Sequence, residues 1–297
     1  MKILPSFVRQ AWILLGRRAA RQAVRKRESL NSPPADVSLH MVISHDMLLM
    51  GLLAMRSLEF HSRQHWAPFF HDDGSLTDDD AREIRSHFPD GQVIRRAVAD
   101  RAVAEGLRDH PVCRENRVKH HWFLKVFDTR HYAPHDRYIV IDSDIVFFQR
   151  PELVLQWIAR GEKTLWLMED TREKYSSARA DLEKEMGFRL WERANSGLDL
   201  MPKAAADLGL AEKFLQRCAP TAREYCFLEQ TLFCVFGSAW KWGGGLLPRE
   251  YEISWTNFRR GGAVCRHYVG PFKNDALFAE GAFTFWLQNQ LFRLKIR

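Results

Sequence analysis

YIVIDSDIVFF, residues 138–148, is the stretch on which the fold turns. Nearly every position is apolar, β-branched or aromatic, which reads as a strand buried on both faces of a sheet. Asp142 and Asp144 interrupt it. In a strand, residues i and i+2 point to the same face, so two carboxylates are expected side by side. Like charges at that range repel, and one stays protonated unless a cation sits between them. A hard divalent ion, Mg²⁺ or Mn²⁺, relieves the repulsion with oxygen ligands and fills its other positions with water and substrate phosphates.

Working outward, strand and helix patterns alternate to about residue 170. VSLHMVISHD, ending at Asp46, HWAPFFHDDG (65–74), GQVIRR and KTLWLMED (163–170) read as strands. Between them lie helical spacings after Asp46, around 95–107, over 117–132 and from Pro151, and Thr77 with Asp80 fits a capping box. This pattern predicts an α/β domain with a mostly parallel, Rossmann-like sheet flanked by helices. Ligands bind such sheets at the carboxyl ends of the strands. Three strands end in polar clusters there: His45-Asp46, His71-Asp72-Asp73 and Asp142-Ser143-Asp144.

The charge is unevenly placed. Of 44 Lys+Arg and 37 Asp+Glu, residues 1–30 hold eight basic side chains and one acid, so the remainder is balanced. A nucleic-acid-binding body is therefore not expected. Ile3, Leu4, Phe7, Trp12, Ile13, Leu14 and Leu15 with the arginines predict a basic amphipathic helix, which NSPPAD (31–36) ends. The expected organisation is thus an N-terminal arm, 1–35, and one domain, 36–297. The arm suits an anionic membrane surface, with an acceptor carried on a lipid or a nascent surface polysaccharide. AWILL (11–15) is too short to span a bilayer or serve as a secretory signal. Five cysteines without a CxxC pair read as reduced thiols of a cytoplasmic protein, peripheral at the inner face of the membrane, with no structural zinc.

A hydrophobic strand followed by DxD occurs in two families. In haloacid-dehalogenase phosphatases the first Asp, here Asp142, is a nucleophile, but that motif opens its domain. Here about 140 residues precede it, and Glu169-Asp170 is the nearest acidic pair downstream. The chain more closely resembles the GT-A glycosyltransferases, and within them glycosyltransferase family 8. The resemblance spans roughly residues 38–275. It rests on HHWFLKVFD (120–128), the DxD, ANSGLDLMPK (194–203), FLEQTLF (227–233) and CRHYVGPFK (265–273). Glu229 stands where that family has Asp, Tyr268 replaces Phe, and no Pro-Trp follows Lys273.

The resemblance implies a metal-dependent transfer of a hexose from a nucleotide-diphosphate sugar, UDP by default, to a glycan or glycolipid hydroxyl, with retention. It implies Asp142, Asp144 and His267 as metal ligands, and Lys273 with Gly270 and Lys125 around the diphosphate. Asn195, Ser196 and Gly197 would face the sugar, and Glu229 and Gln230 the acceptor side. His45, Asp46, Asp72 and Asp73 are candidates for reading base and ribose. A binding module without turnover would carry much the same sequence. The tryptophans of WKWGGG (240–245) and SWTNF (254–258) read as core.

Overall fold

The structure, a computed structural model, describes residues 6–25, 31–254, 262–270 and 273–296. In chain order, α1 (Ser6–Val24) precedes β1 (Val37–Ile43), α2 (Leu48–Ser62), β2 (Phe69–Asp72), α3 (Asp78–His87), β3 (Gln92–Ile94) and α4 (Arg96–Gly106). There follow α5 (Pro111–Lys119), α6 (Leu124–Tyr132), β4 (Arg137–Ile141), β5 (Ile145–Phe147), α7 (Glu152–Ala159), β6 (Leu165–Glu169), α8 (Arg179–Met186) and β7 (Ala194–Pro202). Then come α9 (Leu208–Cys218), α10 (Leu228–Ala239), β8 (Gly244–Leu246), β9 (Tyr251–Ser254), β10 (Cys265–Tyr268), α11 (Lys273–Ala276) and α12 (Phe283–Ile296). A π turn, Leu277–Ala282, joins α11 to α12.

The main sheet has the order β3-β2-β1-β4-β7-β6-β8. Every neighbouring pair is parallel except where β7 runs antiparallel between β4 and β6. The expected mostly parallel, helix-flanked sheet is therefore present. Along β4, Ile139 and Ile141 belong to one core and Tyr138 and Val140 to the other. Burial on both faces is why this strand shows no polar alternation. Thr77 and Asp80 form the expected capping box at α3.

One expectation fails in an informative way. Residues 138–148 are two strands, because the chain leaves the main sheet at Asp142 and enters a second sheet, β5-β10-β9, at Ile145. The β4–β7 ladder ends as the Asp142 N–H donates to the Gly197 carbonyl at 2.8 Å. Beyond the turn, β5 pairs antiparallel with β10, and the Phe147 N–H donates to the Ser57 hydroxyl of α2 at 3.0 Å. An all-apolar run cannot reveal this change of sheet, since both halves are fully buried. The two aspartates thus sit on a turn rather than on one face of a strand.

Two smaller corrections follow. The helix expected over 117–132 is divided, with His120 extended between α5 and a short 3₁₀ turn ahead of α6. A buried, bidentate Arg117–Asp128 pair, at 2.7 and 2.8 Å, braces that elbow. Trp242 is exposed rather than core, while Trp240 is half-buried and donates to the Lys163 carbonyl. Most of SWTNF lies outside the described residues, as do Pro271 and Phe272 and residues 1–5 and 26–30 of the expected arm.

The described part of that arm is docked. Gly16, Ala19, Ala20 and Ala23 form a small-residue stripe against the π turn and α12. Contact is so close that a Cβ on Gly16 would lie 1.8 Å from the Phe278 carbonyl oxygen. Trp12 meets Phe283 edge-on at 5.6 Å, Arg17 lies over the Phe278 ring, and the Trp286 indole donates to Gln22. Among the described residues, no helix is long and apolar enough to cross a membrane.

Candidate active site

The turn between the two sheets, at the carboxyl end of β4, builds the site. The Tyr268 N–H donates to the Asp144 carbonyl at 2.9 Å, and β10 sets His267 opposite Ile145. His267 Nε2 then lies 3.1 Å from Asp144 Oδ1 and 3.5 Å from Asp142 Oδ2. One ligand atom from each of the three residues falls within 4.8 Å of the others. Asp144 and His267 are buried and Asp142 is partly exposed, so the cluster opens on the Asp142 side.

Hydrogen bonding decides which imidazole nitrogen faces the carboxylates. Asn195 Oδ1 accepts from the Gly197 N–H at 2.9 Å, so that atom is the oxygen. His267 Nδ1, 3.1 Å from the same oxygen, must therefore donate to it. Nε2 is then the nitrogen that faces Asp142 and Asp144, and in a neutral ring its lone pair would be available to a cation. The Asn195 amide is itself held, since its Nδ2 donates to Gln230 Oε1 at 2.8 Å while Gln230 Nε2 donates to the Lys174 carbonyl. Gly197 leaves room for the ring, because a Cβ there would stand 2.3 Å from Nδ1. Asn195, Gly197 and Gln230, expected to meet sugar or acceptor, thus hold the histidine in place.

Each aspartate has a lysine. Lys273 Nζ reaches Asp144 Oδ2 at 2.9 Å, guided by a turn at Gly270, whose φ of 85° suits glycine. Lys125, buried in the first turn of α6, puts Nζ 2.7 Å from Asp142 Oδ1 and 3.6 Å from Glu229 Oε1. It also donates to the Ser196 carbonyl. Burial alone would raise the Asp144 carboxyl, but His267 and Lys273 outweigh it and hold the group well below the usual carboxylate range. Burial would lower Lys125, but Asp142, Glu229 and Asp199 raise it above its ordinary value. Glu229 is pushed up to about 7, first by burial and then by Asp142, against the pull of Lys125.

The remaining candidates serve the loops. Asp72 is buried, its carboxylate accepting from the backbone of Gly74, Leu76 and Arg96. Asp73 accepts from Ser75. His45 is exposed and pairs with Asp80 at 2.7 Å, which raises its pKa. Asp46 is exposed. The sequence reading missed Asp199, whose two oxygens are buried without a hydrogen-bond partner beside Lys125 and Glu229. A signal existed: Asn195, Gly197 and Asp199 alternate along β7 and share one face.

Two carboxylates and an imidazole lone pair converging on one point, with hydrogen bonds fixing the ring, fit a divalent cation such as Mn²⁺ or Mg²⁺. Fold and site together define the GT-A class of architecture. The likeness to solved structures bears on this directly. Mouse xyloside xylosyltransferase 1 superposes with a TM-score of 0.52 at 14% identity, covering 78% of this chain and 97% of that one. The galactosyltransferase LgtC, in complex with donor and acceptor sugar analogs, gives 0.54 at 12%, covering 84% and 95%. The WbbM bifunctional glycosyltransferase gives 0.50 at 14%, covering 86% of this chain and 50% of that one. No family model and no curated protein sequence matches the chain. At these identities the likeness establishes the fold.

Proposed function

We propose that this protein is a metal-dependent glycosyltransferase that moves a hexose from a nucleotide-diphosphate sugar, a UDP-sugar by default, to the hydroxyl of a glycan or glycolipid. The observation that carries the reading is the Asp142–Asp144–His267 cluster at the sheet edge of a GT-A fold, flanked by Lys273. A bound Mn²⁺ or Mg²⁺ supplies Lewis-acid stabilisation to the departing diphosphate. Lys273, paired with Asp144, is placed to release that carboxylate and take a phosphate oxygen. Asn195 and Gln230 keep His267 oriented throughout.

Lys125 bridges Asp142 and Glu229, which supports a place for Glu229 beside the metal cluster rather than across the sugar from it. A base for inversion must stand across the sugar ring from the leaving group. The arrangement therefore favours retention, with the acceptor proton passing to a departing phosphate oxygen. Glu229 and Lys125 then serve as a buried charge pair under the sugar. The setting proposed is the cytoplasm, at the inner face of the membrane.

The test is a thermal shift of the protein with UDP, GDP, CDP or dTDP, each with Mn²⁺ or EDTA, beside Asp144→Asn. A nucleotide at ~100 times its dissociation constant stabilises by about 2.7 kcal/mol. The expected result is a metal-dependent shift with one nucleotide, absent in the variant. No shift with any nucleotide sinks the proposal.

A further inference from the structure

α12 lies outside the region that carries the family resemblance, and the transferase chemistry does not use it. Yet it is where the surface is least ordinary. Nine large apolar side chains are exposed among the described residues. Six of them lie on just two helices: Trp12, Leu14 and Leu15 on α1, and Leu287, Leu291 and Leu294 on α12. Chance does not gather them there, because the two helices come from opposite ends of the chain and meet only by folding.

Each helix has a clear division of faces. On α12, Phe285, Asn289 and Phe292 turn inward, with Phe285 and Phe292 packed edge-on against Phe60. Leu287, Leu291 and Leu294 repeat the same i, i+4, i+7 spacing two positions on, about 200° around the helix, and so face out. On α1 the small-residue stripe turns inward. Opposite it stand Leu14, Arg18 and Arg21, with Arg25 one residue past the helix end, all exposed, at i, i+4, i+7 and i+11.

Charge selects the occupant. Across the two helices there are six basic residues and no acidic one, while the chain beyond residue 30 is balanced overall. A second copy seated on this face would bring arginine against arginine, which is unfavourable. An anionic bilayer answers both features, since leucines enter the headgroup boundary while arginines meet lipid phosphates. We infer that α1 and α12 together form a two-helix docking face for an anionic membrane surface, in which the C-terminal helix supplies an apolar stripe of its own.

The consequence for the site follows from connectivity. Lys273 begins α11, and α11, the π turn and α12 form one continuous run of helix. Buried Arg266, next to His267, is paired with Glu280 of the π turn at 2.8 Å. Docking through α12 would therefore engage the same helical run that carries Lys273 and Glu280. If the transferase reading holds, the acceptor is lipid-linked; the docking itself does not depend on that reading.

The test is co-sedimentation of the full chain with phosphatidylcholine vesicles, with and without phosphatidylglycerol, and without any donor. Binding only to the anionic vesicles, weakened by salt, is expected. Leu287→Ser/Leu291→Ser/Leu294→Ser should lower that partition by about tenfold or more with α1 intact. These side chains are exposed, so the variant should keep the wild-type melting temperature. Vesicle binding unchanged in a folded triple variant would overturn the two-helix face and leave α1 as the sole anchor. A folded wild type that ignores anionic vesicles overturns the inference outright. So does a wild-type dimer on size exclusion that the triple substitution makes monomeric, since the face would then join two copies.

Discussion

At the scale of single residues, Asn195 has the most to do. Its oxygen takes the His267 proton and its amide is gripped by Gln230, so it fixes a ligand without being one. Loss of such an outer partner typically lowers metal affinity 10–100-fold. Asn195→Ala should therefore weaken Mn²⁺ binding by about that factor, read by titration followed by electron paramagnetic resonance, and lower stability without metal by about 1–3 kcal/mol as its buried partners lose their bonds. Unchanged affinity would mean that the ring is held by other contacts. Asp199 makes a different prediction. Burial raises its pKa well above the ordinary value, with Glu229 and Asp142 adding and Lys125 opposing. The fold therefore favours the protonated form. Its contribution to stability is full below the ordinary carboxylate pKa and declines as pH rises toward the folded-state value. Glu229, pushed up to about 7, adds a decline of the same sign between its ordinary pKa and neutrality. Asp199→Asn should stabilise the protein at pH 7 by about 1–3 kcal/mol and flatten the fall above pH ~4. Urea melts from pH 4 to 8 would show it, and parallel curves for the two proteins would refute it.

Among the elements, the helix pair α1–α12 and the β4–β5 break matter most. Gly16 lets α1 approach the π turn more closely than any side chain would allow. Gly16→Leu should undock the helix, cost about 1–3 kcal/mol, and open Arg17, Arg18 and Arg21 to trypsin while the rest of the chain resists. Equal cleavage rates would show that the small-residue stripe does not hold α1. The β4–β5 break was invisible in the sequence for a reason of the same kind. Periodicity reports which faces are buried, and a strand that changes sheets keeps both faces buried. The 117–132 helix was expected as one because its break at His120, braced by the Arg117–Asp128 pair, carries no glycine or proline to mark it.

For the whole molecule, the site is a joint. Asp142 terminates the ladder of the main sheet, while Asp144 and His267 belong to the smaller one. A cation held by all three would tie the sheets together. Saturating Mn²⁺ should therefore slow backbone amide exchange in β5 and β10 more than in β1 and β2, which lie away from the joint. Uniform slowing would place the ion elsewhere.

Sequence alone was sufficient for the α/β class, the mostly parallel sheet and the edge at which to look. Those follow from local periodicity and from the tendency of polar residues to gather at strand ends. It also singled out Asp142 and Asp144, as carboxylates interrupting an apolar strand, while His267 and Lys273 were candidates through the family resemblance. What those residues do to one another was left to the tertiary structure. Asn195 and Gly197 were expected to face the sugar and Gln230 the acceptor side; the fold adds that all three hold His267. Lys125 turned out to sit among three acids, one of them the unforeseen Asp199. The C-terminal helix carried no motif and gained meaning only beside α1. Orientation, burial and charge pairing are properties of neighbours brought together by folding, and contacts such as Asn195–His267 and Trp12–Phe283 join positions that no local pattern links.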